Sequence, residues 1–254
     1  LHIEPTPRWV RGVFNGVTVV DSKNAVLMRE KGHMPIYYFP MEEVRMDLLM
    51  PTNHSTHCPK KGDASYFTLT VDDRTYENAV WTYPEPYVSD PNLAEAPDLR
   101  GYVALYWDAM DHWFEEAEEI YRHARDPYKR IDCIPSSRNV KVVLGGETVA
   151  ETDNSILLFE TGLPARYYIP IVDVRMAVLR KSEKITRCPY KGLAHYYSVE
   201  IAGQTFEDVA WFYPHTTAEA FKIGGGYVAF FQERVDATSV DGEELTKPET
   251  RWSR

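Results

Sequence analysis

His57-Cys58-Pro59-Lys60-Lys61-Gly62-Asp63-Ala64-Ser65-Tyr66 is written a second time in this chain, as Arg187-Cys188-Pro189-Tyr190-Lys191-Gly192-Leu193-Ala194-His195-Tyr196. Both copies keep Cys-Pro-x-Lys-Gly-x-Ala-x-Tyr, and they stand 130 positions apart. The same offset relates Arg8 to Arg138, Asn24 to Asn154, Tyr37 to Tyr167, Arg45 to Arg175 and Trp81 to Trp211. From Arg8 to Pro84, 29 of 77 residues equal the residue 130 further on, without a gap. Self-similarity at one fixed spacing is the mark of an internal duplication. The fold question therefore reduces to what a single unit builds.

Each unit reads as a string of short antiparallel strands. Trp9 to Phe14 and Val17 to Val20 flank Asn15-Gly16, a pair that supplies the two positive φ angles a tight hairpin turn requires. Gly145-Gly146 stands at the same place in the second unit. Ala25 to Met28 and Ile36 to Phe39 form a second hairpin through Gly32, closed by Pro40 as Pro170 closes its counterpart. Val44 to Leu49 is a further expected strand. Ser65 to Val71 alternates with period two, turns at Asp72-Asp73 and returns as Thr75 to Thr82. Pro84, Pro86, Pro91 and Pro97 then punctuate a loop that suits neither a central strand nor a helix. Order resumes at Gly101-Tyr102-Val103-Ala104, matched by Gly226-Tyr227-Val228-Ala229 at an offset of 125, five residues having been lost from the second loop.

Between the units, Ala109 to Arg125 reads as a helix. Trp113, Ala117, Ile120, Tyr121 and Ala124 fall on one face, Asp108 or Asp111 caps it, Glu115, Glu116, Glu118 and Glu119 crowd its first half, and Arg122 and Arg125 sit near its end. The expected organisation is a first β unit over 8–108, a linker helix over 109–130 and a second β unit over 138–235. The polar tail after Val235 is expected to be loose.

Composition narrows the function classes. Aromatic residues make up 13% of the chain, which suits an ordered, β-rich protein. A formal charge of −10 with no local basic patch argues against nucleic acid and anionic membrane surfaces as partners. Three cysteines with no CxxC spacing make neither a disulfide framework nor a metal knuckle, so a reducing, cytoplasmic location is expected. No basic region precedes an apolar run at the N-terminus, and no apolar stretch reaches the length of a membrane span.

The repeated motif holds the candidate chemistry. In each unit a lysine follows the cysteine by three residues across a proline-containing turn, so Lys61 and Lys191 can activate Cys58 and Cys188 as thiolate nucleophiles. The alternative is a small buried cysteine with the lysine turned to water. Trp81-Thr82-Tyr83-Pro84 and Trp211-Phe212-Tyr213-Pro214, with Tyr66 and Tyr196, can line an aromatic pocket that grips a planar or cationic ligand, or they form an aromatic core. Arg45 and Arg175, placed among apolar residues, either bind an anionic ligand or pair with carboxylates such as Glu77 and Glu207. Asn24 and Asn154 make turns. His54-x-x-His57-Cys58 looks like a metal cluster, but Lys184 and Arg187 replace both histidines in the second copy, so no metal is expected. Gly-x-Ser-x-Gly, P-loop and Rossmann fingerprints are missing, and Gly224-Gly225-Gly226 is too short to specify phosphate binding. Cys133 falls in the linker and takes no role.

Asn15-Gly16-Val17-Thr18-Val19-Val20-Asp21-Ser22-Lys23-Asn24-Ala25, Tyr37-Tyr38-Phe39-Pro40, Thr56 to Gly62 and Asn78-Ala79-Val80-Trp81-Thr82-Tyr83-Pro84 together resemble the domain-of-unknown-function 427 family in tandem form. The resemblance covers Arg8 to Phe231. It implies a mainly β protein of two tandem β-tent-like antiparallel domains, similar to the methionine sulfoxide reductase B architecture. The motif positions it carries over are Cys58, Lys61, Gly62, Tyr66, Trp81 and Tyr83, with Cys188, Lys191, Gly192, Tyr196, Trp211 and Tyr213. A nucleotidyltransferase-like label attached to the family implies transfer of a nucleotidyl group. Three functions are thus expected as alternatives: a small-molecule site in each unit using Cys, Lys, Tyr and Trp, a non-catalytic ligand-binding or interaction module, and a nucleotidyltransferase. No cofactor is specified.

Overall fold

The computed structural model describes residues 1–86 and 98–253. Pro91 and Pro97 of the expected loop lie outside the described residues. The chain is mainly β and divides into two compact units, Leu1–Asp126 and Pro127–Arg254.

The first unit contains β1 (His2–Pro5), β2 (Val10–Phe14), β3 (Val17–Ser22), β4 (Val26–Arg29), β5 (Ile36–Pro40), β6 (Leu49–Cys58), β7 (Gly62–Val71), β8 (Arg74–Thr82), β9 (Tyr102–Leu105), β10 (His112–Glu115) and β11 (Glu118–Ile120). They form a seven-stranded sheet in the order β1-β4-β5-β9-β8-β7-β6 and a four-stranded sheet in the order β11-β10-β2-β3. Every pairing is antiparallel. Asn15 and Gly16 take φ of 48° and 75°, as the β2–β3 hairpin requires.

The second unit repeats this plan. Its strands are β12 (Ile131–Ser136), β13 (Val140–Leu144), β14 (Glu147–Thr152), β15 (Ser155–Glu160), β16 (Arg166–Pro170), β17 (Leu179–Cys188), β18 (Gly192–Ile201), β19 (Gln204–Phe212), β20 (Tyr227–Phe230), β21 (Ala237–Val240) and β22 (Glu243–Glu244). Its sheets run β12-β15-β16-β20-β19-β18-β17 and β14-β13-β21-β22.

The seven-stranded sheet is apolar on both faces because successive side chains point to opposite sides. Leu27, Tyr37, Phe39, Leu69, Val80 and Val103 pack with Val10, Phe14, Val20 and Trp113. Val26, Met28, Tyr38, Tyr66, Trp81 and Ala104 gather in a separate cluster. Burying each such large side chain stabilises the fold by about 1.5–3 kcal/mol. This two-sided burial sets the frame of the candidate site, which occupies the second cluster.

The linker helix expected over 109–130 is not formed. Its residues make a 3₁₀ turn at Trp107–Ala109 and then strands β10 and β11, turning at Glu116 with φ 54°. Helical spacing gathered Trp113, Ile120 and Ala124 on one face, yet Trp113 and Glu115 are buried on alternate positions of a strand. Pairing with β2 satisfies the edge groups of that strand, which a helix at these residues would leave unpaired, and this outweighs local propensity. Glu115 is a buried acid: it accepts from Arg8 at 2.8 Å, Arg125 at 3.0 Å and the Tyr37 hydroxyl at 2.7 Å.

The tail after Val235 is likewise ordered. Ala237–Val240 pairs with β13 as His112–Glu115 pairs with β2, at the 125-residue offset. Asp111 and Asp236 each cap the first hairpin, accepting from the Asn15 and Gly146 amides at 2.7 and 2.8 Å. Cys133 lies in β12 of the second unit, not in a linker. Val44 to Leu49 is no strand either: Met46–Leu48 forms a 3₁₀ turn and strand β6 begins at Leu49.

Across β2 and β10 the two units differ by a matched exchange. Trp113 faces Gly12, while Thr238 faces Val142 at the same position of the second unit. A Cβ on Gly12 would come 3.0 Å from the Trp113 ring. The ring also stacks on Phe39 and Trp107, with centroids 5.9 and 4.8 Å apart. Among the described residues, no helix is long and apolar enough to cross a membrane.

Candidate functional site

Cys58 ends β6 and Gly62 begins β7, so the repeated motif is the tip of a long hairpin. Pro59 fixes its own φ for the turn, and the Lys61 amide returns to the Cys58 carbonyl at 3.2 Å. Gly62 takes φ 97° and Gly192 takes 101°. At Gly192 a Cβ would also stand 2.9 Å from the His215 carbonyl oxygen, so any side chain is excluded twice.

Lys61 does not point to water. Its ammonium donates to Glu30 Oε2 at 3.0 Å, and Lys60 donates to Oε1 of the same carboxylate at 2.9 Å. The Lys60 hydrogen bond, aided by that of Lys61 and opposed by burial, holds the Glu30 carboxyl at a pKa of about 2. In the second unit Lys191 contacts Glu160, 130 residues after Glu30. Tyr190 replaces Lys60 there, and Lys129 supplies the second ammonium at 3.3 Å from Glu160. Each lysine is thus an ion-pair partner of a carboxylate rather than an uncommitted charge beside a thiol. Glu30 and Glu160 were not singled out from the sequence, although their identity at the repeat offset was the available signal.

Above this pair lies a set of phenols and one indole. Trp81 Nε1 donates to the Tyr38 hydroxyl at 3.3 Å with the rings edge to face, and Trp211 does the same to Tyr168 at 3.0 Å. The hydroxyls of Tyr66 and Tyr196 pair with Thr56 and Thr186 at 2.8 and 2.7 Å. Tyr83 and Tyr213 are buried beside them. Burial pushes the Tyr38, Tyr83, Tyr168 and Tyr213 hydroxyls far above the ordinary phenol range, with the nearby Cys58 or Cys188 thiol adding to the effect. These phenols therefore stay protonated at neutral pH, with the Tyr38 and Tyr168 oxygens accepting from the two indoles. Cys58 and Cys188 are half-buried free thiols at the edge of the cluster.

Cys58, Tyr66, Trp81 and Tyr83 come together, joined by Tyr38, and Lys61 closes the group through Glu30. Tyr196, Trp211 and Tyr213 gather with Tyr168 in the second unit, next to Cys188. Arg45 and Arg175 belong elsewhere. Both are exposed beside 3₁₀ turns; Arg45 forks onto Asp47 at 2.8 and 2.6 Å and Arg175 pairs with Glu147. Glu77 and Glu207 are not their partners; Glu207 accepts from Ser198 at 2.8 Å. Cys133 belongs to the Tyr168–Trp211 cluster of the second unit, its thiol 3.9 Å from the Glu219 carbonyl and pushed up in pKa by burial. Among the described residues, no three His, Cys, Asp or Glu side chains come together in a way that could hold a metal ion.

The family model described as "Domain of unknown function (DUF427)" matches the chain twice, over residues 2–116 and 132–241. Each match runs through to the turn that follows the strand paired with β2 or β13. No curated protein matches the chain.

Proposed function

We infer that this chain, which belongs to the DUF427 family and carries its domain twice, holds a small-molecule site in each unit at the tip of the Cys-Pro hairpin. The observation that carries this reading is the recurrence, in both units, of a half-buried thiol beside buried neutral phenols and an inward lysine–carboxylate pair. Such a group is costly to a purely structural core, since each buried polar atom must be partnered. It suits a polar or planar ligand whose acceptor atoms meet the Tyr83 or Tyr213 hydroxyl.

In the catalytic form of this reading, Cys58 and Cys188 are the nucleophiles and the phenols donate to oxygen as negative charge develops there. Lys61 and Lys191 act through Glu30 and Glu160 by fixing the hairpin tip that carries the thiol. The free thiols and the charge of −10 support action in the cytoplasm on a small molecule rather than on nucleic acid or a membrane surface.

Thermal stability against a panel of thiols, aldehydes, amino acids and nucleotides, with and without Mg²⁺, tests the reading on wild type and on a Cys58→Ser, Cys188→Ser variant. Stabilisation by one class that the variant loses is the expected result, and stabilisation that the variant keeps removes the thiol from the site. A second reading, a non-catalytic interaction module, draws on the commitment of both lysines to carboxylates. It predicts no stabilisation by any small molecule. Nucleotidyl transfer predicts stabilisation that needs both nucleotide and Mg²⁺.

A further inference from the structure

In the second unit the face that carries Trp211 is roofed by the chain's own C-terminal segment. Trp211 meets Phe231 at a centroid distance of 4.5 Å, and Phe231 meets Trp252 at 6.3 Å. Arg166 lies over both indoles, at 5.7 and 5.5 Å. The segment is fastened by Thr250, whose hydroxyl donates to Glu233 at 2.6 Å while that carboxylate is forked onto Arg166. Phe231 is left only 7% exposed.

The counterpart of Phe231 in the first unit is Tyr106, at the 125-residue offset. Both follow the end of a strand and donate their amide to the equivalent carbonyl, Ala79 at 2.9 Å and Val209 at 3.0 Å. Tyr106 rests on Trp81 at 4.7 Å as Phe231 rests on Trp211. Yet Tyr106 is 45% exposed. Arg166 is replaced by Ile36 and Glu233 by Asp108, so the ion pair that fastens the segment in the second unit has no counterpart at these positions. The rim of this surface is polar: the Tyr66 hydroxyl lies beside that of Tyr106, the His54 ring stands 4.5 Å from Tyr66, and Asp108 is exposed two residues on.

We propose that the Trp81–Tyr106 surface of the first unit binds a planar aromatic small molecule bearing a hydrogen-bond donor or cation, in the place that Trp252 fills in the second unit. The proposal rests on the reading of each unit as a small-molecule site and deepens it for the first unit by naming the ligand class. The ring lies against Tyr106 as Trp252 lies against Phe231. Its polar substituent is directed to Asp108, as the Thr250 hydroxyl is directed to Glu233, and the chain's negative charge favours a cation there. The second unit, by the same geometry, is filled by its own chain and admits the ligand only when Trp252 leaves.

Tryptamine is the probe, titrated calorimetrically into the full chain. The wild type is expected to bind one equivalent, Tyr106→Phe to bind as well, and Tyr106→Ala to lose about tenfold or more in affinity with its thermal midpoint unchanged. Trp252→Ala is expected to raise the stoichiometry to two, and Thr250→Val to do so in part. Absence of binding to the wild type, unchanged binding by Tyr106→Ala, or one equivalent in Trp252→Ala each overturns the proposal. The thiol reading fails separately. A protein that ignores tryptamine but is stabilised through its cysteines overturns the aromatic surface alone; one that binds tryptamine at Tyr106 and ignores the thiol panel overturns the thiol site alone.

Discussion

Lys61 reaches Glu30 across 3.0 Å from the tip of a hairpin at one edge of the seven-stranded sheet to the end of β4, next to the opposite edge. The contact is possible because the sheet curls, as twisted antiparallel sheets do. The pair therefore joins strands that backbone hydrogen bonds do not join, and it does so at the residue that positions the candidate thiol.

Glu30→Gln is expected to destabilise the protein by about 1–3 kcal/mol, the range for hydrogen bonds between charged partners that are mostly withdrawn from water. Lys60→Ala, at the exposed arm of the same contact, should cost about 0.5 kcal/mol or less. Urea unfolding of the two variants measures both.

The same carboxylate sets a pH dependence. Its folded pKa of about 2 lies below the unfolded value, so its contribution is complete above the unfolded carboxylate range and is lost as pH falls through that range toward 2. Urea midpoints of wild type and Glu30→Gln should differ at pH 7 and converge in acid. A difference that stays constant with pH contradicts the assignment.

Glu115 holds two guanidiniums and a phenol with its side chain almost wholly buried. Glu115→Leu strands those partners and is expected to cost about 3–5 kcal/mol, with unfolding midpoints as the measure. Val240 stands at the same position in the second unit, so Val240→Ala there should cost only about 1–3 kcal/mol as a trimmed core residue.

The three thiols should differ in reactivity. Cys58 and Cys188 are half-buried, whereas Cys133 is buried with its pKa pushed up. Iodoacetamide at neutral pH, followed by peptide mass spectrometry, should modify Cys58 and Cys188 well before Cys133 in the native protein and all three alike in urea.

Much of the plan was legible in the chain. The duplication, the Asn15-Gly16 turn and the β7–β8 pair follow from spacing and period, while the grouping of Cys58 with Tyr66, Trp81 and Tyr83 was an expectation from the repeated motif and the family resemblance. Strand β6 was not legible, because an edge strand reading Thr52-Asn53-His54-Ser55-Thr56 buries almost nothing and shows no alternation. The misread helix had a helical stripe by coincidence, since Glu115, a residue that reads as surface, is buried by its arginines. The corresponding segment of the second unit held the better clue: Asp241-Gly242 is a hairpin dipeptide, and Asp241 takes φ 53° just as Glu116 takes 54°. Continuing the 125-residue comparison beyond Ala104 sets β10 against β21. The partners of Arg45 and Arg175 were misjudged because the turns at Met46–Leu48 and Met176–Val178 carry them out of the sheet.

The exchange of Gly12 and Trp113 for Val142 and Thr238 bears on how the two copies can continue to evolve. A recombination event joining β2 of one copy to β10 of the other would set Gly12 against a threonine, leaving a void, or Val142 against a tryptophan, forcing a collision. Gene conversion between the halves is thereby penalised at any breakpoint between Gly12 and Trp113, or between Val142 and Thr238. The fit of these two strands thus belongs to each copy as a unit, and neither half of it can be exchanged alone.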